Sequence, residues 1–277
     1  MTLTRAEVLD LLERHHLRPS RALGQNFVTD PNTVRRIARL AEVGPGDRVV
    51  EIGAGLGSLT LALAETGASV VAVEADRYLV PVLRSVVSEA GVAVDVVEAD
   101  AMRLDWTEVL GDERWVLVAN LPYNIATPLV LDLLADAPQI VRMLVMVQRE
   151  VAERLVAAPG AKGRGAVSVK IDYWASASTV GRVPPTVFLP TPKVDSALVR
   201  LDRRVSPTVD VDRGALFRIV DVGFGQRRKM LRRSLAGEVD ADCFEAAGVA
   251  PSARPEDLSL DEWARLTRCA SSTPPPN

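Results

Sequence analysis

The sequence has little cysteine, little histidine, no long apolar run and no surplus of positive charge. Its two cysteines, Cys243 and Cys269, lack the spacing of a metal site, and two thiols in 277 residues do not build a disulfide scaffold. A reducing compartment, the cytoplasm, is therefore expected. The two histidines, His15 and His16, are adjacent and would point apart on a helix, so no metal is expected. No apolar stretch approaches the roughly 18 residues that a membrane helix requires. Arg5, Glu7 and Asp10 stand where a secretory signal would be apolar. Membrane and secreted classes are thus set aside. A net charge of −3 removes global basicity as a pointer to nucleic acid, although a total can hide a local cluster.

What is present is an ordinary globular balance. Hydrophobic residues make up 48% and charged residues 25% of 277 positions, enough for a large core and, by length, about two domains. Thr4-Arg5-Ala6-Glu7 reads as a capping box opening an amphipathic helix with Val8, Leu11 and Leu12 on one face. Leu23-Gly24-Gln25-Asn26-Phe27-Val28 follows, and Asp30-Pro31 caps another helix. The stretch 23–28 reads either as a surface loop or as a lid whose Asn26 and backbone meet a ligand.

Arg48 to Ile52 reads as a strand running into Gly53-Ala54-Gly55-Leu56-Gly57, with Leu56, Leu59 and Leu63 beginning a helix. A second strand, Ser69 to Val73, ends at Glu74. A glycine-rich first turn with an acidic residue about 20 positions on is what a nucleotide-cofactor site requires: the glycines admit the ligand to the backbone, and the carboxylate accepts from ribose hydroxyls. The spacing is G-x-G-x-G, not the G-x-G-x-x-G that cradles a pyrophosphate, and Glu51 stands two positions before the first glycine. Both features suit S-adenosylmethionine, which has no phosphate and carries a sulfonium and an amino-acid tail.

Arg77 to Ala90 reads as a helix and Val92 to Val97 as a third strand, ending near Asp100. Asp100 is either a solvated turn residue or a hydrogen-bond acceptor for the cofactor's adenine amine. Trp115 to Ala119 is a strand apolar throughout, buried on both faces of a parallel sheet. It delivers Asn120-Leu121-Pro122-Tyr123 to the loop at its carboxyl end, where ligands of open α/β sheets bind. An amide, a rigid proline and an aromatic ring can grip a flat heterocycle bearing an amino group. Thr127-Pro128 is expected to cap the helix that follows, and Asp136-Ala137-Pro138 to stop it. Met143 to Val147 reads as a fifth strand, Val167 to Tyr173 as a sixth and Ala197 to Leu201 as the last. The final two, without a helix between them, suggest an antiparallel pair at the sheet edge. The fold expected is thus α/β, a mostly parallel sheet with an antiparallel edge.

Two basic segments stand out. Lys162 and Arg164 lie in the glycine-rich stretch 157–165, which reads either as a surface loop or as a phosphate contact. From about Arg203 the strand–helix alternation stops and the chain reads as helical, with Arg227, Arg228, Lys229, Arg232 and Arg233 crowding one short helix over 226–235. Cations so close repel one another, which favours a phosphate partner over a merely solvated face. The expected division is a catalytic domain over 1–202, a small helical RNA-binding domain over 203–270, and a disordered tail over 271–277.

Taken together, the motifs resemble those of the KsgA/RsmA family of small-subunit ribosomal RNA adenine dimethyltransferases, from Leu23 to about Leu266. Leu23 to Phe27 is similar to the family's N-terminal cofactor motif, Glu51 to Gly55 to its glycine loop, and Asn120 to Asn124 to its catalytic motif. Phe188-Leu189-Pro190-Thr191-Pro192-Lys193-Val194-Asp195-Ser196 is similar to its post-catalytic motif, and Phe224 to Leu235 to its basic C-terminal helix. Two positions depart from the pattern: Ala54 stands where proline is common, and Arg164 where a tyrosine often precedes the last glycine.

The resemblance implies a Rossmann-like methyltransferase fold and S-adenosylmethionine held by Asn26, Val28, Gly53, Gly55, Glu74, Asp100 and Asn120. Asn120, Leu121, Pro122, Tyr123 and Phe188 would hold the target adenine, with Tyr123 and Phe188 stacking on it. Lys162, Arg164, Arg227, Arg228, Lys229, Arg232 and Arg233 would meet 16S ribosomal RNA in the small subunit, with the enzyme working as a monomer. Two alternatives remain at this point: a large-subunit (Erm-type) adenine N6-methyltransferase, and a ribosome-assembly factor whose catalysis is secondary.

Overall fold

The computed structural model describes residues 2–272. The chain divides into two compact units, one formed by the residues up to Ala152 with Ser178–Arg203, the other by Glu153–Ala177 with the described residues from Arg204 onward.

The first unit contains α1 (Arg5–Arg14), β1 (Phe27–Val28), α2 (Pro31–Ala41), β2 (Arg48–Ile52), α3 (Ser58–Ala64), β3 (Ser69–Glu74) and α4 (Val80–Glu89). It continues with β4 (Val94–Glu98), α5 (Trp106–Leu110), β5 (Trp115–Asn120), α6 (Ala126–Asp136) and β6 (Ile140–Gln148). The chain crosses between units in α7 (Arg149–Leu155) and in β7 (Ala175–Val183), and the first unit ends with β8 (Phe188–Leu189) and β9 (Ser196–Arg203).

Seven strands form one sheet in the order β4-β3-β2-β5-β6-β9-β7. β4, β3, β2, β5 and β6 pair in parallel, and β9 pairs antiparallel with β6. The sheet is therefore mostly parallel with an antiparallel strand, as expected, but the antiparallel pairing joins β9 to β6 rather than joining the two strands expected at 167–173 and 197–201. Leu117, Val118 and Ala119 of β5 are almost fully buried, as a central parallel strand covered on both faces requires. On one face, Val34, Ile37 and Ala38 of α2 and Leu59 and Leu63 of α3 pack on Val49, Val118 and Leu144. On the other, Leu83 and Val87 of α4 pack near Ala72. Each such valine, leucine or isoleucine contributes about 1.5–3 kcal/mol on burial.

The helix starts follow their capping residues. Thr4 and Glu7 exchange hydrogen bonds at the head of α1, and Asp30 accepts from the Thr33 amide at the head of α2. α6 departs from expectation. It begins at Ala126, and Thr127 does not cap it. The Pro122 carbonyl instead accepts the Ile125 and Ala126 amides at 3.2 and 3.1 Å. Pro128 sits in the first turn, where an amide would have no intrahelical partner. The far end of α6 is closed by Arg203, whose guanidinium donates to the carbonyls of Leu133, Leu134, Ala137 and Ile140 at 2.7–3.0 Å. α4 starts at Val80 rather than Arg77, with Pro81 in its first turn.

The second unit is helical: α8 (Ala166–Trp174), α9 (Arg213–Gly225), α10 (Leu231–Ser234), α11 (Ala241–Ala247) and α12 (Leu260–Ser272). Val169, Leu216, Ile219, Leu231, Phe244 and Trp263 meet in its core. Gly223 lies under the Trp263 ring, where a Cβ would come within 2.5 Å of it. Ser259 and Glu262 cap α12.

Several expectations are corrected here. The stretch 167–173 is helix α8, not a strand: Val169 and Tyr173, four residues apart, face the helical core, and the edge strand begins only at Ala175. This burial also moves 153–177 into the second unit, whereas the expected boundary left it in the first. The expected helix over 226–235 is a turn followed by the four-residue α10, since α9 ends at Gly225. Cys243 of α11 and Cys269 of α12 face each other across the helix pair, with Cα atoms 5.5 Å apart. The expected tail begins inside α12, and 273–277 lie outside the described residues. Among the described residues no helix is long and apolar enough to cross a membrane.

Candidate active site

The register of the sheet brings three strand ends together. Ile52 of β2 pairs with Val73 of β3 and with Ala119 of β5, so Gly53, Glu74 and Asn120 leave the sheet side by side. They open into a cleft of about 400 Å³, roofed by the strap 22–28 and built wholly within the first unit.

The glycine turn is tight. The amides of Gly53 and Ala54 both donate to the Val73 carbonyl, at 2.9 and 3.3 Å. Gly55 adopts φ +59°, and a Cβ there would lie 3.1 Å from the Phe27 ring, so only glycine fits without strain. Its amide donates to Glu74 Oε2 at 2.7 Å, and the Asp76 amide donates to Glu74 Oε1 at 2.9 Å. Glu74 is thus aimed by backbone, with lone pairs left for a ligand.

Two carboxylates line the cleft almost out of water, Glu51 at 2% and Glu74 at 7% exposure. Burial pushes the Glu51 carboxyl up to about 8; the Thr60 hydroxyl, donating at 2.5 Å, opposes the shift, and the neighbouring charge of Glu74 adds to it. Burial likewise raises Glu74, against the hydrogen bonds from the Asp76 and Gly55 amides. Asp100 also lines the cleft but is exposed; its Oδ1 accepts the Met102 amide at 3.0 Å. It is therefore both a turn residue and a cleft residue. Among the described residues no lysine, arginine or histidine lines the cleft. Three carboxyls without a basic side chain suit a cationic ligand and disfavour a phosphate-bearing one. The donor set thus fits S-adenosylmethionine, with its sulfonium and ammonium.

Asn120 stands at the mouth. Its Nδ2 donates to the Asn26 carbonyl at 2.9 Å, so its Oδ1 is the atom left to accept. The Asn26 side chain in turn donates to the Gly24 carbonyl at 3.1 Å. Gly24, at φ +63°, lies so close that a Cβ would sit 3.1 Å from Pro122. Leu121 is buried, and its amide donates to Met146 at 3.1 Å. Tyr123 lines the cleft half-buried, its hydroxyl 3.0 Å from Ser196 Oγ. Burial raises the phenol, against the Ser196 hydrogen bond, so it stays neutral at physiological pH.

Of the residues expected to hold cofactor, Asn26, Val28, Gly53, Gly55, Glu74, Asp100 and Asn120 all meet in this cleft, joined by Leu121, Pro122 and Tyr123. Phe188 does not. It is fully buried, pairs with Val28 in the β1–β8 ribbon, and packs in the core with Ile37, Leu144 and Met146. It shapes the strap from behind rather than stacking on a base. Two contributors were not legible. Gln25 ties the strap down, donating to Asp76 at 2.7 Å and accepting the Ser20 amide at 2.7 Å. Ser196 anchors Tyr123 from a distant strand. Gln25 lies within a motif already noted, with no sign there of its tether, and nothing in the sequence pairs residues 73 positions apart.

The basic residues belong to the second unit. Arg228, Lys229, Arg232 and Arg233 are exposed, with no ion-pair partner among the described residues. Arg227 is exposed but engaged, pairing with Glu256 at 2.6 Å and donating to the Lys162 carbonyl at 2.8 Å. That bond places exposed Lys162 beside the same turn. Arg164 is corrected: it is fully buried, donating to the Ala157 carbonyl and to Asp172 at 2.6 and 2.9 Å. It braces its loop and presents nothing to a phosphate.

The sequence profile described as "Ribosomal RNA adenine dimethylase" matches residues 16–271. The chain is 50% identical to a Cutibacterium acnes protein named ribosomal RNA small subunit methyltransferase A, over 94% of this chain and 92% of that one. It is 48% identical to the protein of the same name from Kineococcus radiotolerans, over 95% and 90%. Among solved structures it is similar to the 23S rRNA methyltransferase ErmE, with TM-score 0.69, 29% identity and coverage of 89% of this chain and 100% of that one. A dimethyladenosine transferase from Plasmodium falciparum shares the fold, with TM-score 0.75, 23% identity and coverage of 87% and 95%.

Proposed function

The chain belongs to the ribosomal RNA adenine dimethylase family, and from that premise we propose that it converts two adjacent adenosines in the 3′-terminal hairpin loop of 16S ribosomal RNA to N6,N6-dimethyladenosine. Its relatives at 48–50% identity carry the small-subunit name, whereas the large-subunit enzyme shares 29%, which favours small-subunit RNA as substrate. The observation that carries the reading is Asn120, held by the Asn26 carbonyl at the mouth of a carboxyl-lined cleft free of basic side chains.

When bound, S-adenosylmethionine supplies a methyl group on a sulfonium, a good leaving group. Glu74 would hold the ribose, Asp100 the adenine amine, and Glu51 with the glycine turn the cationic end. Asn120 Oδ1 and the Leu121 carbonyl would accept the hydrogens of the target N6. That draws the nitrogen toward a tetrahedral, more nucleophilic form and stabilises the positive charge developing there. A carboxamide takes no proton, so Asn120 orients the nucleophile and leaves deprotonation to solvent. Tyr123 would stack on the base, worth roughly 1–3 kcal/mol; the base must leave its own stack to reach it. Lys162 and the exposed cations at 228–233 would hold RNA phosphates through counterion release. The enzyme acts as a monomer in the cytoplasm, where subunits mature.

The reading is tested by incubating the protein with labelled S-adenosylmethionine and isolated, unmodified small and large subunits, then mapping methylated adenines by mass. Dimethylation of two neighbouring adenines in small-subunit RNA is expected. Label confined to large-subunit RNA defeats the choice of substrate.

A further inference from the structure

Ser196 is the first residue of β9, 1% exposed, and it pairs with Gln148 at the end of β6. It therefore sits in the sheet and cannot follow a moving loop. Tyr123 is different: it stands on the loop leaving β5, with its ring in the cleft mouth. The 3.0 Å hydrogen bond between their hydroxyls ties the far end of that ring to the sheet. Phe27, also in the cleft, is packed on Gly55, and Phe188 is turned into the core, so Tyr123 is the aromatic ring next to Asn120 that can receive a base.

The two methyl transfers make unequal demands on this ring. An unmodified adenine N6 has two hydrogens, one for Asn120 Oδ1 and one for the Leu121 carbonyl. Monomethylated N6 has one. Asn120 cannot compensate by rotating its amide, because Nδ2 is committed to the Asn26 carbonyl. At the second transfer the base has lost a directional contact, and the stack must supply more of its orientation.

We propose that Ser196 is a positioning residue for the second methyl transfer, fixing the Tyr123 ring so that the monomethylated base is held in line after it has lost one hydrogen bond. The inference rests on the adenine-N6 reading above and adds a residue that selects the product.

The test is a time course on unmodified small subunits with S-adenosylmethionine, with monomethyl- and dimethyladenosine quantified by mass after nuclease digestion. Ser196→Ala is expected to raise the ratio of monomethyl to dimethyl product about threefold to tenfold, the range of one hydrogen bond. Ser196→Thr, which keeps a hydroxyl on the strand, should return the ratio toward wild type. Tyr123→Phe removes the same bond from its other end and should shift the ratio in the same direction; should Ser196→Ala fail to fold, this variant decides. Equal slowing of both transfers, or an unchanged ratio, overturns the proposal. Wild-type protein that forms no N6-methylated adenine at all would instead defeat the functional reading beneath it.

Discussion

The cleft of the first unit and the basic turn of the second use charge in opposite ways. In the cleft, Glu51 and Glu74 are withdrawn from water and held by Thr60 and by backbone amides, and they resist ionisation. In the turn and α10, Arg228, Lys229, Arg232 and Arg233 stand in solvent with no ion-pair partner among the described residues. Burial makes ionisation expensive and demands fixed hydrogen-bond partners, so such groups suit a site where geometry decides the outcome. Exposed charge is cheap, screened and long-ranged, so it suits holding a polyanion without dictating its pose. The same chain thus separates orientation from attraction.

The largest expected effect breaks the cleft's side of this contrast. Asn120→Ala should lower single-turnover methylation by about 10²–10³-fold, the scale of losing a preorganised polar contact to developing charge. RNA affinity, read by filter binding, should stay at the wild-type level; a comparable loss of affinity would merge the two roles.

The next concerns pH. Glu51 is raised in the folded state to about 8 from an ordinary 4.5, so the folded protein holds a proton that the unfolded chain has released. The stability this gives is fully present below about 4.5 and is lost as pH rises through about 8. Glu51→Gln should therefore flatten the fall in Tm between pH 5 and 9, gaining a few kcal/mol on wild type at the alkaline end. A pH-independent difference between the two proteins would mean the carboxyl is not buried as described.

A third prediction takes a cation turned inward. Arg203→Ala leaves four carbonyls at the end of α6 without their donor and should cost about 2–3 kcal/mol in urea unfolding. Arg232→Gln, a cation turned outward, should leave stability within about 0.5 kcal/mol. Its signature, and the smallest effect, is a log-affinity versus log-salt slope shallower by about 0.7 for single-stranded RNA.

Much of this was legible in the sequence, and for physical reasons. The strand–glycine–strand run to Glu74 and the buried strand delivering Asn120 are local patterns, and local patterns fixed where both residues emerge. Phe188 was misread because its motif marks a place on the chain, not a direction; only pairing with Val28 shows that the ring turns inward. Arg164 was misread because a cation in a glycine-rich loop looks solvated until Asp172, on the next helix, closes over it. The stretch 167–173 alternates only partly, and the pull of Val169 and Tyr173 into a helical core overrides its β-branched character. Ser196 depends on a contact from the end of β5 past β6 to β9, between residues 73 positions apart, which no period in the sequence encodes.

A carboxyl-lined cleft also sorts adenosine-bearing molecules by charge. Abundant nucleotides carrying di- and triphosphates find, among the described residues, no lysine, arginine or histidine in the lining to pair with. A methyl donor with a positive sulfur meets attraction, and its spent form, with a neutral sulfur, meets less. The lining that draws the donor in therefore also eases the exchange that each successive methylation of the same RNA requires.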